Sequence, residues 1–103
     1  IPLIQKGEYE KSLELLKTAA RLTDAEPLIE YNLGLVLLRL GRTDEAIEHL
    51  LKAVHHKNSM FSAWLNLGIA YESQGEYIKS VNALEKYLIE CPTNLIQIKY
   101  VPI

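Results

Sequence analysis

Two asparagines, Asn32 and Asn66, and three histidines, His49, His55 and His56, are the side chains whose type and spacing first suggest chemistry. A side-chain amide carries one acceptor and two donors, so amides repeated at a fixed interval suit a peptide backbone laid across them. Asn32 and Asn66 stand 34 residues apart. The competing reading is that each amide bonds a neighbouring helix. Imidazoles can hold a metal ion, but His49 and His56 are seven positions apart, about 10 Å along a helix. His55 and His56 point to different faces. All three are expected as solvated residues towards a helix C-terminus, where a protonated imidazole is favourable. Glu8, Glu10 and Glu14 are spaced as a solvated face. Cys91 is the single cysteine, so it has no intramolecular disulfide partner and reads as a half-buried structural thiol. The glycines do not cluster into a phosphate loop. No catalytic residue, cofactor or metal site is therefore expected, and the chain is not expected to be an enzyme.

The elements that must position Asn32 and Asn66 follow from the glycines. Gly7, Gly41 and Gly75 are each separated by 34 residues and open nearly the same phrase: Gly7-Glu8-Tyr9-Glu10-Lys11-Ser12-Leu13, Gly41-Arg42-Thr43-Asp44-Glu45-Ala46-Ile47 and Gly75-Glu76-Tyr77-Ile78-Lys79-Ser80-Val81. A fixed period of that length is the mark of a stacked two-helix repeat. Between the periods 27–60 and 61–94, Asn32/Asn66, Leu33/Leu67, Gly34/Gly68, Gly41/Gly75, Leu50/Leu84 and Lys52/Lys86 are identical. Gly34 and Gly68 fall mid-helix, where glycine costs about 1 kcal/mol against alanine, a cost accepted where two helices approach closely. Gly41 and Gly75 fall where a left-handed cap favours glycine. Asp44 is placed to cap the following helix, with Glu45 in its first turn. The expected helices are a remnant ending at Lys6 and its partner 9–22, then the pairs 27–40 with 43–57 and 61–74 with 77–90. Loops of two to five residues make neighbours antiparallel. Pro27 suits a first turn and Pro92 a stop.

Composition narrows the function classes. Net charge is −2 and Lys and Arg are scattered among Glu and Asp, so nucleic acid is not an expected partner. The longest unbroken apolar run, Leu35 to Leu38, is far too short to span a bilayer. No secretory signal is visible, and a cytoplasmic location is expected. The first residue is not Met, so a fragment or a processed chain is expected, with repeats missing or the ends packed on something.

At these residues the chain resembles a tetratricopeptide repeat (TPR) protein. The third period carries the pattern best, with Trp64, Leu67, Gly68, Tyr71, Gly75, Tyr77, Leu84 and Pro92. Ser80 and Tyr87 stand where the family prefers alanine. The second period has Leu33, Gly34, Gly41, Ala46, Leu50 and Ala53, but Glu30 replaces the aromatic and Asn58 the proline. The first has Gly7, Tyr9, Ser12, Leu16 and Ala19. The resemblance implies an all-α fold of tandem antiparallel helix-turn-helix repeats stacked in a right-handed superhelix, an α-solenoid. It implies an array over 1–94, made of a partial repeat 1–26 and full repeats 27–60 and 61–94. Residues 95–103 are then a tail or the start of a degenerate fourth repeat, which Pro102 would break.

In the family the first helix of each pair lines a concave face. Helical periodicity places Leu28, Tyr31, Asn32, Leu35, Leu38 and Arg39 on that stripe in the second repeat. In the third it places Ser62, Leu65, Asn66, Ile69, Glu72 and Ser73 there; Ile1, Ile4 and Gln5 extend it into the first. The family's chaperone-tail clamp sets Lys and Asn where this chain has Tyr31, Leu35, Leu65 and Ile69, so a clamp is not expected. Arg39 is the one cation on the stripe, and a nearby Glu is its expected partner. The expected function is protein–protein interaction. Leu28, Tyr31, Asn32, Leu35, Leu38, Arg39, Leu65, Asn66, Ile69 and Glu72 would hold a peptide or helix in an apolar groove. The alternative is a structural assembly subunit whose apolar stripe and uncapped ends make homotypic or permanent contacts, so a homo-oligomer is also possible.

Overall fold

Leucines and alanines at helical spacing meet between neighbouring helices. The computed structural model describes residues 1–24, 26–57 and 60–91. The helices are α1 (Leu3–Leu22), α2 (Pro27–Arg39), α3 (Thr43–His56), α4 (Phe61–Ser73) and α5 (Tyr77–Glu90), and no strand occurs among the described residues. The fold is an all-α solenoid. α2 packs on α3 and α4 on α5 as the two tightest pairs; α1 lies against α2, α3 against α4, and α2 also touches α4. Leu13, Leu33, Leu37 and Ala46 form one core cluster, between α1, α2 and α3. Ile47, Leu50, Val54, Ala63, Leu67, Ala70 and Ala83 form the other, between α3, α4 and α5. Leu33, Leu37, Leu50 and Leu67 are fully buried, each worth about 1.5–3 kcal/mol over exposure. Pro27 opens α2 at its first turn, as expected.

The two hairpin turns share one geometry. Gly41 has φ +78° and Gly75 φ +77°. At the first, the Arg42 amide donates to the Leu37 carbonyl at 2.9 Å and the Gly41 amide to Leu38 at 3.0 Å. At the second, Glu76 donates to Tyr71 at 2.9 Å and Gly75 to Glu72 at 3.0 Å. This is the paired-bond ending that satisfies the last carbonyls of a helix and requires a left-handed residue. The mid-helix glycines do what their cost implied. A Cβ on Gly34 would stand 2.6 Å from Leu50 Cγ and 3.3 Å from the Ala46 carbonyl oxygen. One on Gly68 would stand 2.6 Å from Leu84 Cδ2 and 3.4 Å from the Ser80 carbonyl oxygen.

Two expectations are corrected. Gly7 ends no helix: α1 runs unbroken through it from Leu3 to Leu22, and the expected break between a helix ending at Lys6 and one over 9–22 is absent. Continuing α1 through Gly7 adds a hydrogen bond for each residue fixed. Asp44 is not the cap of α3. It lies inside the first turn, after Arg42 at the cap position, and its carboxylate accepts a hydrogen bond from Gln74 at the next turn of the stack. The expectations for Pro92 and for 95–103 fall outside the described residues.

Candidate functional site

α2 and α4, the first helices of the two hairpins, carry the stripe. Leu28 is 55% exposed and Ile69 53%. Arg39 and Glu72 are exposed, and Tyr31, Asn32, Leu35, Leu38, Leu65 and Asn66 are half-buried. Tyr31 and Leu38 are shared with the core, packing against buried leucines and alanines of α3, α4 and α5. Tyr31 and Asn66 are brought together: Asn66 Nδ2 lies 3.4 Å from the Tyr31 hydroxyl and donates to the Ser62 carbonyl at 2.9 Å. The Asn66 amide thus links α4 to α2, leaving Oδ1 as its acceptor. Asn32 and Leu35 lie elsewhere, in a groove of ≈ 400 Å³ with Ser12, Leu15, Leu16 and Val36. Among the described residues Arg39 makes no ion pair, contrary to expectation. Trp64 is half-buried and faces α3 beside Leu51, Lys52 and Val54.

Sequence reasoning missed two buried polar contacts. Glu30 is buried, and its Oε2 lies 2.6 Å from His49 Nδ1. His49 is therefore a half-buried partner of α2 rather than a solvated helix-end residue. The signal was available: Glu30 occupies the aromatic position of the repeat and needed a partner on the paired helix. Ser80 is likewise buried, and its hydroxyl donates to the Gly68 carbonyl at 2.8 Å. That bond accounts for a hydroxyl where alanine was expected.

The exposed rim is charged. Arg42 Nε and Nη2 reach Glu45 at 2.8 and 2.7 Å. This hydrogen bonding holds the Glu45 carboxyl below its ordinary value, opposed by slight burial and supported by the Arg42 charge. Burial, then the Glu76 charge, pushes the Tyr71 hydroxyl up, and Lys79 Nζ sits 5.7 Å from the centre of the Tyr71 ring. Among the described residues no group of three or more His, Cys, Asp or Glu could hold a metal ion, and no helix is long and apolar enough to cross a membrane.

Repeated hairpins with a close-packing glycine in each first helix and a left-handed glycine at each turn define a helical-repeat interaction scaffold. The chain belongs to the tetratricopeptide repeat family, whose profile matches residues 3–62 and again 31–94. Human tetratricopeptide repeat protein 7A is 34% identical over 71 residues, which is 69% of this chain and 8% of that protein. A crystal structure of MamA superposes with a TM-score of 0.78 at 30% identity, covering 81% of this chain and 48% of MamA. The second TPR of Spaghetti (RPAP3), solved bound to the HSP90 peptide SRMEEVD, superposes with a TM-score of 0.77 at 21% identity, covering 84% and 80%. That last likeness is one of fold. The chain thus spans a small part of its human relative and about half of MamA. Its fold is that of a protein–protein interaction module, in a family of interaction modules rather than enzymes.

Proposed function

We propose that the inner face of α2 and α4 binds a peptide or helix of another protein through apolar contacts. The observation that carries this reading is the exposure of Leu28 at 55% and Ile69 at 53%, on helices whose opposite sides are fully buried. An apolar side chain left uncovered beside half-buried Tyr31 and Leu65 is the form an interaction surface takes. Asn66 Oδ1 and the Asn32 amide supply backbone contacts; Arg39 and Glu72 set the polar edge. RPAP3 is seen with an acidic peptide, SRMEEVD. This stripe offers Arg39 as its cation, and an apolar ligand is the better match. Peptide-display selection against the full chain tests the reading. The expected binders carry apolar residues at helical or alternate spacing, and Ile69→Asp abolishes their binding without changing the melting temperature. Selection of acidic tails, or binding retained by Ile69→Asp, overturns it.

A second reading has its own support. Leu3 at 85% and Ile4 at 79% exposure at one end, and Ile78 at 80% and Ile89 at 73% at the other, leave apolar side chains uncovered at both ends of the stack. An assembly subunit would bury them against other copies or permanent partners. Sedimentation of the chain at micromolar concentration decides: a monomer supports the groove reading, an ordered oligomer the assembly reading.

A further inference from the structure

A gap between α3 and α5 carries chemistry that the α2–α4 stripe lacks. The backbones of α3 and α5 do not meet, and α4 packs on both. Two cavities follow the gap and share Leu51 and Trp64. One, of ≈ 460 Å³, is lined also by Lys52, His55 and His56 of α3. The other, of ≈ 310 Å³, is lined also by Tyr71 of α4 and by Lys79, Asn82 and Lys86 of α5. Trp64 and Tyr71 are seven positions apart on α4 and share a face that Leu65, Ile69 and Glu72 do not. Leu51 is 41% exposed. No Asp or Glu lines either cavity. Among the described residues Lys52, Lys79 and Lys86 make no ion pair; Glu48 and Glu90 stand one helical turn from Lys52 and Lys86 and pair with neither. The repeat by itself does not produce this character. One period earlier the counterpart of Trp64 is Glu30, of Lys79 Glu45, of Asn82 Glu48 and of Leu51 Lys17. Two of those acids are engaged within the chain, Glu30 by His49 and Glu45 by Arg42. Nor do the ends of the array leave the gap open. Glu45, Glu48 and Lys52, the α3 counterparts of Lys79, Asn82 and Lys86, are exposed although α4 stacks on α3 as a further first helix would on α5.

We infer that this groove docks an acidic segment of a partner protein, with a bulky apolar side chain over Leu51 and Trp64 and carboxylates on either side of it. Lys52 meets the acids at one end, and Lys79 and Lys86 those at the other. Lys79 Nζ already sits 5.7 Å from the centre of the Tyr71 ring, a contact that holds an ammonium in place before a ligand arrives. An exposed ion pair contributes little, so the apolar anchor supplies the larger share of affinity and the lysines choose the partner and speed its approach. Charge decides against the other occupants. Residues 92–103 contain Lys99 and no Asp or Glu, so this C-terminal segment does not complement the groove. A second copy offers acids on α1 and α3 that are interleaved with Lys6, Lys11, Lys17 and Arg42. A nucleic acid, charged along its whole length, meets the net −2 of the molecule, whereas a short segment feels chiefly the lysines within a screening length.

The probe is a labelled synthetic peptide, EEDLFDEE, titrated with the full chain by fluorescence anisotropy. Saturable binding is expected. The uncharged peptide QQNLFNQQ and the anchorless peptide EEDGGDEE should each bind about ten-fold or more weakly, because each lacks one of the two features the groove reads. These arms alter only the peptide, so they do not depend on how the chain tolerates substitution. Lys79→Glu with Lys86→Glu should weaken EEDLFDEE by a similar factor. Lys6→Glu with Lys11→Glu, the same change of net charge on exposed positions of α1, should leave it unchanged, as should Ile69→Asp. On the chain carrying Lys79→Glu and Lys86→Glu, peptide-display selection reads the α2–α4 stripe alone, so failure of one surface is distinguishable from failure of the other. No saturable binding, equal binding of QQNLFNQQ or EEDGGDEE, or equal loss with the α1 pair overturns the inference. So does displacement of the peptide by an equal concentration of single-stranded DNA. A chain that self-associates and becomes monomeric with Lys79→Glu and Lys86→Glu also overturns it, because the occupant would then be a second copy.

Discussion

Gly41 and Gly75 turn the chain, and Gly7, in nearly the same phrase, does not. The first two adopt φ +78° and +77° and close the α2–α3 and α4–α5 hairpins. The third lies inside α1 with open space where a Cβ would stand. The difference lies upstream of each glycine. Leu37, four residues before Gly41, is 1% exposed, whereas its counterpart Leu3, four before Gly7, is 85% exposed. A helix reverses at glycine when the segment before it has a face to bury against the segment after it. Without that burial, the cheaper course is to continue the existing helix. The glycine permits the turn; packing commits the chain to it.

Substitutions at the three kinds of glycine environment grade this comparison. The largest effect is expected at Gly68, where an added Cβ would stand 2.6 Å from Leu84 Cδ2. Gly68→Val should cost about 1–3 kcal/mol through overpacking, a fall in melting temperature of roughly 5–20 °C for a domain of this size. A melting temperature unchanged within error would mean that Leu84 swings aside and the close approach is not what holds the hairpin. Next is Gly75→Ala, where nothing lies within 4 Å but φ is +77°. The cost is conformational, about 1–2 kcal/mol for a left-handed alanine. The opposite sign is expected at Gly7. Gly7→Ala should raise stability by about 0.5–1 kcal/mol, because an open helical glycine gains from losing its backbone freedom. If Gly7→Ala destabilises as Gly75→Ala does, the chain turns at Gly7 in solution and α1 is two helices.

The same contrast marks what the sequence could reveal. The period, the helix order and the boundaries of α2 to α5 were legible because glycine, proline and leucine placement is governed by local rules of turns and close packing. Gly7 misled because its phrase is local: the same residues can end a helix or lie inside one, and α1 carries its ladder straight through. Asn66 was legible as a repeated amide, but its use against Tyr31 depends on how α2 and α4 approach. Glu30 and His49 are 19 residues apart; Glu30 at the repeat's aromatic position signals burial, but His49 alone looks like a surface residue. Only the antiparallel packing of α2 on α3 joins them. Ser80 shows the converse, a departure from the alanine expected there that becomes intelligible once Gly68 is seen within reach of its hydroxyl.

The smallest expected effect separates the two true turns from each other. Arg42 and Glu45 form an exposed pair just after Gly41, and the equivalent positions after Gly75 hold Glu76 and Lys79, with Lys79 over the Tyr71 ring. The hydrogen bond from Arg42 comes first in holding Glu45 below its ordinary value. A carboxyl depressed in the folded state adds stability that is fully present above its unfolded pKa. That stability is lost as pH falls through the lower, folded value. Both side chains are largely in solvent, so the effect is small and salt-screened. Arg42→Gln should therefore lower the melting temperature slightly near neutral pH. The gap from the parent should close as the pH falls from the ordinary carboxylate range through Glu45's lower folded value, below which the carboxyl is protonated in folded and unfolded chains alike. Added salt should narrow it at neutral pH. Lys79→Gln should produce no gap that follows Glu45, because no ion pair with that carboxylate is broken. If the Arg42→Gln gap persists unchanged into acid, Arg42 supports its turn through contacts other than Glu45, and the two turns are more alike than their charges suggest.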